Sequence, residues 1–327
     1  MDAQPVPGLN ISRGVTVTST GERRLDDLAF AAEIGLTHVR LDVPWALAQP
    51  KAGVVDGGVM EDLLTTAQEA RRLGLLPWIR LLQPQVPNWF DDEGGFTDDK
   101  TAGQWWPRWV QAAAEHLGEV AAGWVPFEAP YGMVQRMAPD DGRRQSELFH
   151  TLVVAWRDAW RILRGGPPVA TSLDVADERP TGPSQAHLDA ARRREHLRWN
   201  LWLHGLARGV VDVPGRARVE LPDLAGACDV LGIAVRRKVG EALHRCADQG
   251  PECPLAVTFR LPGSADSECA AAVSGLWSDV REASSGITVA GVTATPFLDG
   301  PEGSGQLGLA TSTRRLKDAG EAFVQPS

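Results

Sequence analysis

The chain has 327 residues, 43% of them hydrophobic, enough to bury one large core or two ordinary ones. Its formal charge of -9 disfavours a nucleic-acid partner, because phosphate backbones are met by a basic balance and basic patches. Four cysteines (Cys228, Cys246, Cys253 and Cys269) show no C-x-x-C spacing and no neighbouring histidine cluster, which argues against a metal site and for reduced structural thiols.

The opening residues MDAQPVPGLNISRG contain no basic segment followed by an apolar one. No run approaches the roughly 18 apolar residues that a bilayer requires, so a cytoplasmic protein without membrane contact is expected. From there the chain alternates short apolar, β-branched runs with amphipathic helical ones, the pattern that builds a parallel sheet through right-handed crossovers. The predicted strands cover 11–17, 38–44, 76–81, 123–128, 167–174, 229–235, 254–260 and 287–297.

Between the first two strands, ERRLDDLAFAAEIG predicts a helix with Leu25, Leu28, Ala29 and Ala32 on one face and Gly35 closing it. VMEDLLTTAQEARRLG repeats the scheme, and SELFHTLVVAWRDAWRILRG predicts a helix opening at Ser146, with Trp156 and Trp160 in the core. No linker divides the chain. Its longest irregular stretches, 136–145, 175–186 and 298–306, all follow strands, where a barrel builds its active face. The expectation is one α/β domain over 1–327, a (β/α)8 TIM barrel.

Six segments then carry a resemblance in the same order. VRLDVPWALAQP, with Arg40, Trp45 and Pro50, is followed by LLPWIRLLQPQVPNWFDDEGGF, with Pro87, Trp89, Gly94 and Gly95. GWVPFEAP, DVLGIAV and PLAVTFRLPG come next, and PFLDGPEGSGQLGLATSTRRLKDAGEAF, with Asp299, Glu302, Gly308, Leu309 and Lys317, ends the series. Together they resemble glycoside hydrolase family 1, the β-glucosidase family, over nearly the whole of a shortened chain. The resemblance implies a sugar-binding His where Gln83 stands, a sugar-binding Asn where Glu128 stands and the general acid/base Glu where Ala129 stands. It places the nucleophilic Glu on Phe259 and alters the polar residues at the end of the sixth strand to Ala234, Val235 and Arg236. Retaining hydrolysis needs two carboxyl groups about 5–5.5 Å apart, and neither alanine nor phenylalanine supplies one.

The strand period places Arg40 and Asp42 on one face, and Glu128 ends the fourth strand. With no nucleophile to support, Arg40 is expected to pair with Asp42 or Glu128 or to bind an anionic group, and Arg236 to add a second cation. Glu128 and Asp42 are the candidate proton-transfer residues. Beside Phe127, Phe259 and Trp124, the Glu128 carboxyl is expected to be partly desolvated and to titrate nearer neutrality; the alternative for each acid is a structural ion pair with an arginine. The candidate ligand-binding residues are Arg40, Gln83, Trp124, Tyr131, Arg236, Phe259, Asp299 and Glu302, with Tyr131 either a hydroxyl donor or a packed loop aromatic.

Three readings stay open. One is a repurposed enzyme carrying out a non-hydrolytic, acid/base-assisted transformation of a small polar or glycoside-like metabolite. The others are a non-catalytic ligand-binding pseudoglycosidase and an atypical β-glycosidase using displaced carboxylates. No cofactor is implied, since no phosphate-binding glycine loop and no metal-ligand spacing occurs. The expected partner is a small molecule, anionic or glycoside-like.

Overall fold

The computed structural model describes residues 11–82, 85–263, 265–300 and 307–326. Its strands are β1 (Ser12–Val17), β2 (His38–Asp42), β3 (Leu76–Leu82), β4 (Gly123–Phe127), β5 (Leu173–Asp174), β6 (Val210–Val211), β7 (Val219–Glu220), β8 (Leu231–Val235), β9 (Leu255–Arg260) and β10 (Val289–Thr295). Eight form one parallel sheet in the order β4-β3-β2-β1-β10-β9-β8-β5, and β6 and β7 make a small antiparallel ribbon.

Single parallel bridges from Val169 to Trp124 and from Ala170 to Val230 lay the segment before β5 between β4 and β8, closing the ring. That segment opens with Pro167 and Pro168, which have no N–H to give. Its pairing is therefore intermittent: Trp124 donates to the Pro168 carbonyl at 2.8 Å and Thr171 donates to that of Val230 at 3.0 Å. Regular strand structure begins at Leu173. The expected single barrel with helices around it is thus the observed architecture, and among the described residues no helix is long and apolar enough to cross a membrane.

Helix starts follow local chemistry. Asp56 accepts from Gly58 and Val59 at the start of Gly57–Arg72, whose buried residues Met60, Leu63, Ala67 and Ala70 keep the helical period. The helix expected to open at Ser146 instead runs Gly142–Leu163 and is capped by Asp141, while the Ser146 hydroxyl donates to the carbonyls of Gly142 and Pro214. On Arg24–Glu33 the buried residues are Leu28, Phe30 and Ala31, and Leu25 and Ala29 face solvent. Stacking of Phe30 on Phe297, 5.6 Å between ring centres, sets that rotation from a distant strand end. Trp156 is core, 1% exposed, and Trp160 is half-buried. All four cysteines are free thiols.

A belt of aromatic rings fastens the loops over β2–β4 to the outer helices. Trp45, just after β2, stacks on Trp109 and touches Trp106 and Phe90. Phe127 packs on Trp106, Trp156 and Trp202, so the end of β4 is braced from outside.

Candidate functional site

Successive strand side chains point to opposite faces, so every second residue of each barrel strand enters the interior. At the lower end, His38 joins Ser12 through Nδ1 at 2.7 Å and Thr293 through Nε2 at 2.8 Å. Gly14 makes room for the ring, since a Cβ there would come within 2.2 Å of it. Burial, then the charge of Arg40, lowers the His38 pKa to about 3, so this ring is a neutral spacer beneath the site.

Above it lies a network of five charged side chains. Arg40 donates from Nη1 to Glu128 Oε2 at 2.7 Å and from Nη2 to the Thr258 hydroxyl at 3.0 Å. Arg80 donates from Nη1 to the same Glu128 oxygen at 2.8 Å and from Nη2 to Asp42 Oδ2 at 2.6 Å. Arg260 donates from Nη2 to Glu128 Oε1 at 2.9 Å. Both Glu128 oxygens are thus claimed by charge-assisted bonds, and three guanidiniums face two carboxylates.

The electrostatics follow. Burial alone would raise the Glu128 pKa, but Arg40, Arg80 and Arg260 outweigh it and hold the carboxyl at about 2. Asp42 runs the other way: desolvation outweighs its pair with Arg80, which is shared with Glu128, and raises its pKa. Asp42 Oδ1 is buried with no hydrogen-bond partner among the described residues.

Because the folded pKa of Glu128 lies below its ordinary value of 4.5, its contribution to stability is fully present above about pH 4.5 and is lost as pH falls toward 2. At about 1.4 kcal/mol per unit, the loss is about 3 kcal/mol. Asp42, with a raised pKa, works in the opposite sense: its contribution is present at low pH and lost as pH rises through the folded value. Urea denaturation of wild type and Asp42→Asn through this range is expected to show an acid-side loss in both, steeper in the variant.

The network opens upward into a cavity of ≈ 440 Å³ at the C-terminal ends of the strands. Four arginines (Arg80, Arg136, Arg236 and Arg260) line it, and Glu128 is the one carboxylate among its described lining residues. Ala129, also on its wall, has φ 56° and ψ 57°, a left-handed conformation costly for a residue with a Cβ, and its N–H donates to the Ser172 carbonyl at 2.8 Å. The following helix, Pro130–Met137, has its first amides bound by Asp174, which accepts from Tyr131 at 3.0 Å and Gly132 at 2.8 Å. Asp174 also lies 3.5 Å from Arg198, which sits in a π-helical turn, His196–Asn200, with its guanidinium over the Tyr131 ring.

The structure brings Arg40, Asp42 and Glu128 together and sets Arg236, exposed, on the rim above them. Several expectations need correction. Glu128 is surrounded by guanidiniums, because Phe127 turns outward to the helices and Trp124 lies low in β4, opposite Ile79 and off the cavity wall. Asp42 pairs with Arg80, not with Arg40. Thr258 and Arg260 point inward, so Phe259 between them faces the helix layer, 1% exposed, and Arg260 takes the inward position at the strand end.

Tyr131 is packed between Arg198 and Phe149 and does not line the cavity. Asp299 accepts from the Gly308 amide and the Lys317 ammonium, which makes it a clamp on the last loop. Gln83 and Glu302 lie outside the described residues. The sequence reading passed over Arg80, Arg260, Asp174 and Arg198. A lone arginine in the apolar run LPWIRLL, in phase with the strand end, was the available signal for Arg80.

No family model matches the chain. A curated relative, Klotho of Rattus norvegicus, is 23% identical over 171 residues, 48% of this chain but 17% of its own length, so the chain spans less than a fifth of that relative. Among solved structures, the psychrophilic β-glucosidase BglU of Micrococcus antarcticus superposes with a TM-score of 0.81 at 16% identity over 96% of each chain. The GH1 β-glucosidase of Exiguobacterium antarcticum B7 gives 0.81 at 15%, and the family 1 β-glucosidase of Thermotoga maritima 0.78 at 16%, each again over 96% of both chains. At these identities the likeness is one of architecture, and the chain has the barrel fold that these β-glucosidases share.

Proposed function

We propose that this barrel holds an anionic small molecule at its mouth without hydrolysing it, as a glycosidase-like binding protein. The observation that carries the reading is the state of Glu128. A carboxyl held at about 2 by three arginines has no proton to give near neutrality, and as a base or nucleophile it is weak because its lone pairs are already engaged. No second carboxylate stands among the described residues of the cavity wall, whereas the retaining mechanism requires two at about 5–5.5 Å.

What the site offers in place of acid and nucleophile is cationic. Arg136 and Arg236 are exposed on the cavity wall and make no ion pair with any described residue. Guanidiniums of this kind suit phosphate, sulfate or carboxylate groups. The repurposed-enzyme reading keeps one supporting observation, the buried Asp42 oxygen with a raised carboxyl pKa, although Asp42 lies behind Arg80 and off the cavity wall.

Two assays test the proposal together. Calorimetric titration with methylphosphonate is expected to show saturable binding that weakens with added salt and falls about tenfold or more in Arg236→Ala, the loss of one charge-assisted contact. Nitrophenyl β-D-glucoside is expected to turn over at the background rate across about pH 4 to 9. Hydrolysis that disappears in Glu128→Gln or Asp42→Asn, or no anion binding at all, would overturn it.

A further inference from the structure

A second cavity, ≈ 680 Å³, opens beside the first and shares Arg236 and Arg260 with it. Among its described lining residues seven cationic side chains face three carboxylates. Some of those cations are answered: Lys238 lies 2.7 Å from Asp177 and 2.9 Å from Glu241, Arg198 is bound by Glu178, and Arg245 by Glu195. Arg179 and Arg237 are exposed and make no ion pair with any described residue, and the same holds for Arg236 on the divide. Arg260 gives one N–H to Glu128 and keeps other donors on a side chain 29% exposed.

The distribution is uneven for a chain of net charge -9. Uncommitted arginines repel one another and gain nothing locally, yet five of the eight described arginines on these two walls, Arg136, Arg179, Arg236, Arg237 and Arg260, retain donors free for a ligand. Concave surfaces lined with one sign of charge focus the field and raise the local concentration of counter-ions. The helix N-terminus nearest the first cavity is already closed by Asp174, so the side chains must supply the recognition. Each cavity has cations of its own, Arg136 in the smaller and Arg179 and Arg237 in the larger, with Arg236 and Arg260 between.

We infer that the ligand is two-headed, a small molecule with an anionic group of phosphate type at each end, one seated in each cavity and its middle passing Arg236 and Arg260. The inference rests on the anion-binding reading above and adds the second head. Arg237 and Arg136 are positioning partners of separate heads, and Arg236 serves both.

The test is calorimetric titration of the full chain with α,ω-alkane bisphosphonates of about two to eight carbons, against methylphosphonate as the single-headed probe. Two tethered heads gain most when the tether matches the span between sites and lose the gain when it is too short. Affinity is therefore expected to peak at one chain length, at least about tenfold above methylphosphonate, and Arg136→Ala and Arg237→Ala are each expected to bring the best bisphosphonate down to the single-headed level. Both substitutions are on exposed side chains that make no ion pair with any described residue, so folding is expected to be unchanged, which circular dichroism checks. If methylphosphonate binds and no bisphosphonate exceeds it, or if Arg237→Ala leaves the advantage intact, the two-headed ligand is wrong and the single-anion reading stands. If none of the probes binds, both fall.

Discussion

Glu128→Gln is expected to lower the folding free energy by about 3–5 kcal/mol, the cost of breaking a buried ion pair by removing one partner. The amide keeps the shape and some of the hydrogen bonds of the carboxylate, so the loss is one of charge. Arg40, Arg80 and Arg260 would then share the interior with Asp42 alone, and Arg40 is 7% exposed. The double variant Glu128→Gln, Arg260→Gln should recover part of the loss, since it removes the guanidinium nearest solvent and with it one unanswered charge. Urea midpoints of the three proteins give the comparison, and a Glu128→Gln loss below about 1 kcal/mol would mean that the network does not hold the barrel mouth.

Trp106→Ala is expected to cost a further separate amount of about 3–5 kcal/mol, the range for truncating a fully buried large aromatic. Trp106 is 0% exposed and lies 5.8 Å from Trp45, 5.8 Å from Phe96 and 6.2 Å from Phe127 between ring centres. Its Nε1 donates to the Ala155 carbonyl at 2.9 Å, a second bond on an oxygen that the helix Gly142–Leu163 already engages, so truncation also removes one hydrogen bond. Trp106→Phe keeps most of the volume and loses the hydrogen bond, and should cost about 0.5–1.5 kcal/mol, the net worth of one hydrogen bond. Phe127 immediately precedes Glu128, and Trp45 follows β2 by three residues, so the void opens behind the backbone that carries the ion network. Anion affinity is therefore expected to fall in Trp106→Ala along with stability, which a void elsewhere in the helix layer would not produce.

The arginines also set the charge state of Glu128. Desolvation on its own favours a protonated Glu128, the state a proton donor needs. Three guanidiniums within 2.9 Å reverse the balance and fix it as an anion. The one carboxyl in the network that desolvation does win is Asp42, which has a single arginine to share and one oxygen without a described partner.

Periodicity is a local property, and the sequence determined what depends on it: eight strand positions in order, the helices between them and the inward parity of Arg40 with Asp42. It did not determine what faces Glu128, because its partners stand 88, 48 and 132 residues away and meet it only across the closed ring. Strand period reports which face a side chain takes but is silent on what stands opposite, which depends on the register between strands. Arg80 takes Asp42 from Arg40 for this reason. The same holds for the helix Arg24–Glu33, whose buried face packs on Phe297 from the far end of the chain, and for the field at the barrel mouth, where an acidic chain gathers Arg136 from the helix after β4, Arg179 from the loop after β5, and Arg236 and Arg237 from the loop after β8.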